Sequence, residues 1–405
     1  MTTVRFLHAA DLHLDSPLKG LEADPSAPAE LIRGATRRAL GRLVDLAIDE
    51  KVDFLLIAGD IYDGDWPDFG TGLFFAAQMR RLAFADIPVF AIRGNHDAAN
   101  RITRSLRLPP NVTMFDHVRP HTVRLEHLQV AIHGQSFADP KEPNDLSRHY
   151  PPPDPGLFNI GLLHTSAEGY AAHARYAPCD IPRLKAHGYD YWALGHVHER
   201  QELWTDPWIV FPGNLQGRDI GETGPKGATL VTVTDRKATL EHRVLDVLRW
   251  AHLEIALDGA VDETDALMRI QSALETALRE ADPLPLTARI TLTGTTAALA
   301  PDGLREKILN EAQSLPGEHR LWLEAVRLKT QPPRAGAGAG GEDNLSRLLV
   351  RIDALAADAP ADLLGDWPAL LLAKLGDAIP DDHPLRDPSS ILDQAKRRLE
   401  AALTA

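Results

Sequence analysis

The sequence predicts an α/β fold in which two β-sheets form a sandwich flanked by helices, followed by a small α+β domain and a helical C-terminal segment. Three observations lead to this prediction. Short apolar runs that are typical of buried strands alternate with helical patterns between residues 4 and 245. The later runs in this part are joined by shorter connections, which favours a second sheet with some antiparallel pairing. A stretch rich in Pro, Gly and Ala then separates an α+β pattern from a leucine-rich tail.

The first domain, residues 1–245, contains strand patterns that are rich in β-branched and aromatic residues and that often end at glycine. Helical patterns with apolar residues three and four apart lie between the first of these strands. In chain order, the predicted strands are VRFLH, DFLLIAG, IPVFAIRG, VAIHG, FNIGLLH, YDYWALGH, WIVFPG and ATLVTVT, and the helices lie in RRALGRLVDLAIDEKV and FFAAQMRRLAF.

A second domain of α+β type is predicted over residues 246–330. Its strands are WAHLEIAL, ARITLTG and RLWLEAVRL, and its helices are ETDALMRIQSALETALREA, opened by Asp262 or Thr264, and LREKILNEAQSL. Residues 331–344 form a linker, and residues 345–405 form a helical segment with leucines at helical spacing. This segment either packs on its own chain or docks the helices of a partner, and the sequence leaves both interpretations open.

The bulk composition limits the function classes. A chain of 405 residues with 44% hydrophobic residues predicts two or three globular domains. The formal net charge of −14 argues against a protein that coats itself in nucleic acid, although it allows a local basic groove. Neither a membrane-length apolar run nor a signal peptide is recognisable, and Cys179 is the single cysteine, so we expect a cytoplasmic protein with no membrane association.

Metal-competent side chains follow five of the predicted strands, at the loops where those strands end. Because such loops converge at one edge of a sheet, we expect these side chains to meet in space. Carboxylate and amide oxygens together with imidazoles, without thiolates, favour manganese, iron or zinc, and seven ligands suffice for two ions. The one-residue gap within Asp11-Leu12-His13 and His196-Val197-His198 predicts that an extended chain turns both members of each pair to one side. The candidate metal ligands are Asp11, His13, Asp60, Asn95, His164, His196 and His198.

His96 is predicted to have a different role, because it directly follows Asn95 and would point away from the same ion. An imidazole beside the metals can protonate a leaving alkoxide or hold the scissile phosphate, so His96 is the candidate general acid.

The ordered set D-x-H, G-D, G-N-H-D, a single His and G-H-x-H resembles the calcineurin-like metallophosphoesterase superfamily over about residues 4 to 245. Within it, the chain is similar to the SbcD-type DNA repair exonucleases, in their YhaO-like branch. The segments that carry this closer resemblance are FLHAADLHLDSPLKGL, LLIAGDIYD and FPGNLQGRDIGETGPKGATLVTV.

The resemblance implies a two-sheet metallophosphoesterase sandwich and two divalent ions, most readily Mn²⁺. Asp11, His13, Asp60 and His198 would hold one ion, and Asp60, Asn95, His164 and His196 the other. His96 would donate a proton or orient the phosphate, and Asp97 either orients His96 or caps its loop. The activity implied is hydrolysis of DNA phosphodiesters by a hydroxide activated between the metals, in double-strand-break repair. The resemblance implies exonuclease action and leaves endonuclease action open.

The resemblance also implies partners. Residues 246–330 would cap the DNA, the C-terminal helices would bind a coiled-coil, SMC-like ATPase subunit, and two copies would dimerise through helices of the phosphoesterase domain. The chain is acidic overall and its basic residues near the motifs are scattered, and the candidates for substrate contact among them are Lys19, Arg93 and Arg218. Two other interpretations remain open: a two-metal phosphodiesterase or phosphatase for a small nucleotide, and an inactive scaffold that binds a partner.

Overall fold

The structure, a computed structural model, describes residues 3–18, 34–63, 69–99, 107–167, 178–296, 298–300 and 302–331, together with residues 370 and 374. Its architecture is the predicted α/β sandwich of two large mixed sheets with flanking helices. No helix among these residues combines the length and the apolar character that crossing a membrane requires.

The two large sheets are built from twelve strands. These are β1 (Thr3–Ala9), β2 (Phe54–Ala58), β3 (Val89–Ile92), β4 (Val112–Met114), β5 (His121–Leu125), β6 (Val130–Gly134), β7 (Phe158–His164), β8 (Tyr191–Gly195), β9 (Gln201–Thr205), β10 (Trp208–Phe211), β11 (Gly227–Thr234) and β12 (Lys237–Val244). The helices within this part are α1 (Ala35–Asp49), α2 (Gly70–Phe84), α3 (Asn95–Ala99) and α4 (Ile181–Ala186), and two short 3₁₀ turns cover Glu126–Leu128 and Leu146–His149.

Strand order explains how the two sheets bring distant loops together. The first sheet has the order β12-β11-β1-β2-β3-β4, with β1, β2, β3 and β4 parallel, and the second has the order β5-β6-β7-β8-β10-β9, with β6, β7, β8 and β10 parallel. In each parallel set the carboxyl ends of the strands lie at one edge, so the loops that follow them are neighbours. Antiparallel strands complete one edge of the first sheet, through β11 and β12, and both edges of the second, through β5 and β9.

The core between the two sheets is aromatic and aliphatic. Phe6 and Phe54 stack with ring centroids 4.9 Å apart, and Tyr191 of the second sheet meets the ring of Phe6 edge-on at 5.5 Å. A second core on the other face of the first sheet includes Leu43 of α1 and Phe75 of α2. The central strands are therefore buried on both faces, as their unbroken apolar sequences predict.

The remaining described elements form a three-stranded sheet in the order β13-β14-β15 with two helices. The strands are β13 (Arg249–Ala256), β14 (Leu286–Thr293) and β15 (Leu321–Leu328), and the helices are α5 (Glu263–Ala281) and α6 (Leu304–Ala312), with a 3₁₀ turn at Glu318–Arg320. Helix α5 begins after Asp262, whose carboxylate accepts a hydrogen bond from the backbone N–H of Asp265 at 2.9 Å. Asp262 is therefore the residue that opens this helix, rather than Thr264.

The chain divides into two compact units, each made of several chain segments. One unit contains Met1–His252, Ala277–Arg289 and His319–Glu324, and the other contains Leu253–Thr276, Ile290–Glu318 and Ala325–Ala405. The boundary at residues 245 and 246 stays a prediction, and most of the linker and nearly all of the segment 345–405 lie outside the described residues.

Candidate metal centre

The predicted ligands lie in loops at the carboxyl ends of five parallel strands, from both large sheets. Asp11 and His13 follow β1, Asp60 follows β2, and Asn95 begins α3 directly after β3. From the second sheet, His164 is the last residue of β7, while His196 and His198 follow β8. The structure brings these seven side chains to one edge of the sandwich. Six of them, all except Asn95, form together with His96 three overlapping groups, and the ligand atoms within each group lie within 4.8 Å of one another.

The first group contains Asp11, His13 and His198. The Nε2 atoms of His13 and His198 are 3.1 Å apart, and Nε2 of His198 is 3.8 Å from Oδ1 of Asp11. Asp11 also accepts a hydrogen bond from the backbone N–H of His196 at 2.9 Å, which ties the two loops together across the sheets. Two imidazole nitrogens and a carboxylate thus converge on one point.

The second group contains Asp60, His164 and His196, and the side-chain oxygen of Asn95 lies next to its two histidines. Oδ1 of Asn95 is 3.1 Å from Nε2 of His164 and 3.3 Å from Nδ1 of His196. Oδ2 of Asp60 is 3.5 Å from Nε2 of His164 and 3.9 Å from Nε2 of His13, so the Asp60 carboxylate lies between the two groups. A carboxylate in this position can share its oxygens between two ions, as the sequence analysis predicts for Asp60.

His96 belongs to the third group, with His13 and Asp60. Its ring is perpendicular to that of His13 with centroids 4.8 Å apart, and its Nδ1 is 3.0 Å from Oδ1 of Asp63. The side chain is 39% exposed, whereas that of His13 is 1% exposed. The ring of His96 is therefore open to solvent, from which a substrate would approach.

The backbone geometry behind this convergence differs from the prediction. The one-residue gaps in Asp11-Leu12-His13 and His196-Val197-His198 predict an extended chain. Asp11, His13 and Asp60 instead have φ of 52°, 41° and 51°, and His196 has φ of 106°. Non-glycine residues with such left-handed angles are uncommon and cost free energy, so they persist where the surroundings enforce them. The extended-chain explanation is wrong, and the positive φ angles at these residues direct their side chains.

Burial and mutual charge set the protonation of the cluster. Burial alone would raise the pKa of Asp60, but the neighbouring His164 outweighs it and holds that pKa well below its usual range. The converse holds for His164, where burial opposes the charged ring but Asp60 raises its pKa to about 9. Burial lowers the pKa of His13, whereas the hydrogen bond to Asp63 raises the pKa of His96 above its ordinary value. The buried groups thus favour a charged carboxylate in contact with a cation.

The ligand atoms around His164 are arranged as a bound cation would require. Nδ1 of His164 is 2.8 Å from the carbonyl oxygen of Ala58, so Nδ1 carries the hydrogen and donates it. The remaining nitrogen, Nε2, then faces two oxygen acceptors, those of Asn95 and Asp60. An imidazole lone pair in contact with two acceptor oxygens is unfavourable unless a positive charge stands between them, as a proton or a metal ion. The residue types, oxygen and imidazole nitrogen without sulfur, suit divalent transition metals.

The side chain of Asp97 contacts backbone groups of the two neighbouring loops. Its buried carboxylate accepts hydrogen bonds from the backbone N–H groups of Gly94 at 3.0 Å, Tyr62 at 3.0 Å and Ile61 at 3.2 Å. Burial raises the pKa of Asp97 to about 7, and the nearby Asp60 adds to the effect. Of the two roles predicted for Asp97, the loop cap is therefore the one that its hydrogen bonds support, and Asp63 is the carboxylate that holds His96.

Two carboxylates next to the ligands are absent from the sequence prediction. Asp63 lies near His96 and near Nδ1 of His13 at 3.4 Å, and Oε1 of Glu222 is 2.6 Å from Nδ1 of His198. Asp63 follows Asp60 within the GDIYD segment, so its acidic type and short spacing were a usable signal. Glu222 is 24 residues from His198 in sequence, and nothing in its local pattern indicates the contact.

The three predicted substrate contacts have different surroundings. Arg218 lies beside the cluster and binds Glu222, with Nη2 to Oε1 at 2.8 Å. The backbone N–H of Arg93 donates a hydrogen bond to Ser136, and its carbonyl accepts one from the N–H of Phe137. Hydrogen bonds from the backbone of Val118 and His117 lower the pKa of Asp116, and the guanidinium of Arg93 adds to this effect. Lys19 lies outside the described residues.

Comparison with known proteins identifies the family. A model described as calcineurin-like phosphoesterase matches residues 4–200, and one described as the middle domain of metallophosphoesterase YhaO matches residues 250–331. The chain is 32% identical over 336 residues to a protein of Bacillus subtilis (strain 168) named "Uncharacterized metallophosphoesterase YhaO", a match that covers 81% of this chain and 82% of the relative.

More distant relatives carry the name "DNA double-strand break repair protein Mre11". The protein from Sulfolobus acidocaldarius is 23% identical over 297 residues, covering 69% of this chain and 73% of the relative. The one from Haloferax volcanii is 28% identical over 225 residues, covering 55% of this chain and 49% of the relative. The resemblance that the sequence motifs indicate is confirmed by these matches, and the chain belongs to the calcineurin-like phosphoesterase family, hydrolases that act on phosphoester bonds.

Proposed function

We propose that the chain is a metal-dependent DNA nuclease that hydrolyses phosphodiester bonds in double-strand-break repair. The observation that carries the proposal is the convergence of Asp60 with imidazoles from both sheets at one partly open edge of the sandwich. The similarity to proteins named for double-strand break repair supports DNA as the substrate class. Both exonuclease and endonuclease action fit such a site.

The proposed centre holds two divalent ions, of which Mn²⁺ is favoured and iron or zinc are the other choices. Asp11, His13 and His198 would hold one ion and Asn95, His164 and His196 the other, with Asp60 shared. Such ions, when bound, polarise a phosphoryl oxygen and lower the pKa of a coordinated water.

His96 has the position and the charge that a proton donor needs. Asp63 holds Nδ1 of His96, which leaves Nε2 for an oxygen of the substrate, and the side chain is 39% exposed. The same hydrogen bond raises the pKa of His96, so a larger fraction of the ring is protonated near neutral pH. A protonated imidazole can donate to the leaving sugar oxygen or bind a non-bridging phosphate oxygen, and we assign this role to His96.

The test compares DNA with a small diester. Purified protein with Mn²⁺ should degrade single- or double-stranded DNA as well as bis(p-nitrophenyl) phosphate, and Asp60→Ala should abolish both activities. Glu202→Ala is a matched control, because Glu202 pairs with Arg200 on a surface strand outside the cluster. Cleavage of the small diester with intact DNA would refute the nuclease and support the alternative, a phosphodiesterase or phosphatase for a small nucleotide.

One observation favours that alternative. The guanidinium of Arg218 is bound to Glu222, so it does not offer a free cation for a DNA phosphate. The net charge of −14 points in the same direction. A small nucleotide needs fewer basic contacts than a DNA strand, and the substrate comparison decides between the two.

We also propose that two copies associate through α2. Leu73 and Phe84 on this helix, with Phe69 just before it, are large apolar side chains that are 56%, 91% and 51% exposed. Spacings of four and eleven residues put them on one helical face, and an exposed apolar stripe of this kind is typical of an interface. Leu73→Glu should convert a dimer to a monomer in light scattering, and Val118→Glu, at a residue that is 72% exposed elsewhere, should not.

The remaining proposed partner is a coiled-coil, SMC-like ATPase subunit bound by residues 345–405, and the proposed location is the cytoplasm. The support comes from the leucine spacing of that segment and from its place after a Pro- and Gly-rich linker. Deletion of residues 335–405 should abolish copurification of the ATPase while sparing diester cleavage. Unchanged complex formation would refute docking by the tail.

A further inference from the structure

The ring of His198 is held from its side away from the proposed metals. Its Nδ1 is 2.6 Å from Oε1 of Glu222, while its Nε2 is 3.1 Å from Nε2 of His13 and 3.8 Å from Oδ1 of Asp11. The two ring nitrogens therefore face different surroundings, one a carboxylate and the other a ligand group.

The hydrogen on this ring can be assigned from its neighbours. Both oxygens of Glu222 accept hydrogen bonds from groups that can only donate, Oε1 from Nη2 of Arg218 and Oε2 from the backbone N–H of Arg218, so the group is a carboxylate, which only accepts. Nδ1 of His198 therefore carries the hydrogen and donates it to Glu222. Arg218 Nη2, which is 3.1 Å from that nitrogen, cannot donate to it as well and instead donates to Oε1 of Glu222 at 2.8 Å. Nε2 is left with its lone pair directed at the ligand group.

Glu222 is itself fixed by several donors. Its Oε2 accepts hydrogen bonds from Nδ2 of Asn214 and from the backbone N–H of Arg218, both at 2.8 Å, and the Glu222 side chain is only 10% exposed. The loop that bears His198 is held independently, because Nζ of the buried Lys226 donates to the His198 carbonyl at 2.9 Å. The imidazole thus has little freedom to rotate.

Arg218 connects this arrangement to a second carboxylate. Its Nη1 is 3.8 Å from Oδ1 of Asp63, the oxygen that lies 3.0 Å from Nδ1 of His96 and 3.4 Å from Nδ1 of His13. One guanidinium therefore lies between the carboxylate that holds His198 and the carboxylate that faces His13 and His96. With a side chain only 16% exposed, Arg218 is placed to support the cluster from behind.

We propose that Glu222 and Arg218 are positioning residues for His198, a proposal that rests on the metal centre of the proposed function. Glu222 fixes the ring orientation and tautomer of His198 so that Nε2 binds the ion. Arg218 holds Glu222 in place and connects it to Asp63. Carboxylates that accept a hydrogen bond from a metal-binding histidine act in this way in other sites, and their loss weakens metal affinity. Arg218 accordingly acts through Glu222 and leaves substrate contact to other groups.

The test is metal binding by the full chain, without substrate. Protein stripped by a chelator is titrated with Mn²⁺ in a calorimeter, and the wild type should bind two ions. Glu222→Ala should weaken one of the two sites by about 10- to 100-fold, and Glu222→Gln, which keeps an acceptor for Nδ1–H, should restore part of that affinity. His198→Ala sets the limit of complete loss at that site, and Glu202→Ala should bind as the wild type does.

Arg218 is tested by combining substitutions. Arg218→Ala should weaken the same site as Glu222→Ala, and the double variant should lose no more than Glu222→Ala alone, because both act through one imidazole. Fully additive losses would overturn the role of Arg218. If Glu222→Ala does not fold, Glu222→Gln decides by itself, with an expected loss of about 3- to 10-fold at one site.

The possible failures are distinct. Wild-type protein that binds no Mn²⁺ would refute the proposed metal centre itself. A wild type that binds two ions, with Glu222 variants of unchanged affinity, would refute only the positioning role.

Discussion

A methyl group at Gly94 should disable the centre while leaving the fold in place. A Cβ at this position would be 2.2 Å from Oδ1 of Asp60 and 2.8 Å from Cε1 of His164, whereas ordinary contacts begin at 3.4 Å. Because Gly94 also donates its N–H to buried Asp97, its backbone cannot easily retreat, and the Asp60 carboxylate must move. The shortfall is on the order of 1 Å, a displacement that can cost about 100-fold in rate.

Gly94→Ala should therefore reduce kcat/KM for bis(p-nitrophenyl) phosphate with Mn²⁺ by about 100-fold, or about 2.7 kcal/mol of transition-state stabilisation. Overpacking should also lower the free energy of unfolding by about 1–3 kcal/mol. Gly41→Ala is the matched control, because Gly41 lies within α1 and a Cβ there meets nothing within 4 Å. That control should gain up to about 1 kcal/mol of stability from helix propensity, with unchanged turnover.

Steady-state kinetics and thermal unfolding on the two alanine variants separate the effects. A Gly94→Ala protein that is folded and binds Mn²⁺, yet keeps kcat/KM within about threefold of the wild type, would refute the claim that Asp60 must occupy this position. Equal losses in Gly94→Ala and Gly41→Ala would show that the effect is not specific to the centre.

Substitutions of three further side chains in the sandwich, those of His96, His8 and Asp97, have expected effects on turnover or stability. His96→Ala should keep the metal content measured by elemental analysis but lower kcat by about 10²- to 10⁴-fold, and an unaffected rate would remove His96 from the chemistry. Burial lowers the pKa of His8 to about 3, so its neutral ring contributes full stability above its unfolded pKa of 6.5 and loses it as the pH falls toward 3. Urea denaturation should show wild-type stability falling more steeply than that of His8→Gln, by about 1.4 kcal/mol per pH unit below 6.5, and parallel curves would contradict this. Asp97→Ala removes the acceptor of three backbone N–H groups and should cost at least about 3 kcal/mol in the same assay, with a smaller loss for Asp97→Asn; a loss below about 1 kcal/mol for Asp97→Ala would show that water replaces the carboxylate.

The sequence predicts the central strands because nearly all of their residues are apolar, as expected of strands that are buried on both faces. Phe54–Ala58 and Tyr191–Gly195 are apolar at every position or nearly so, and both are buried throughout. Helix Glu263–Ala281 coincides with its predicted segment, since its apolar spacing is regular and an acidic cap precedes it. The local sequence is therefore enough to predict where these elements begin and end.

The edge strands were missed for the opposite reason. His121–Leu125, Gln201–Thr205 and Lys237–Val244 contain charged residues and are partly exposed, so their apolar signal is weak. Their strand conformation comes from pairing with a neighbour in the sheet, which a local pattern does not contain. The short strand Val112–Met114 has too few residues to show any periodicity.

The candidate site shows the same limit at the level of side chains. The motif spacings predict which side chains converge, because the loops that follow parallel strands lie at the same edge of a sheet. They did not name Glu222 or the left-handed backbone at Asp11 and His196, since both depend on contacts between loops remote in sequence. The residues that support a cluster are those that the folded structure brings close to it, and a single sequence does not show these distances.

The origin of the donors in two separate sheets has a consequence for the lifetime of the protein. Asp60 and Asn95 extend from one layer, and His164 and His196 from the other, so an ion shared among them would act as a cross-link between the layers. At a free concentration 100 times its Kd, each such ion would stabilise the folded chain by about 2.7 kcal/mol. Starvation for the metal would then do more than silence turnover: it would also loosen the sandwich and expose the chain to proteases, which ties the abundance of the protein to the metal supply of the cell.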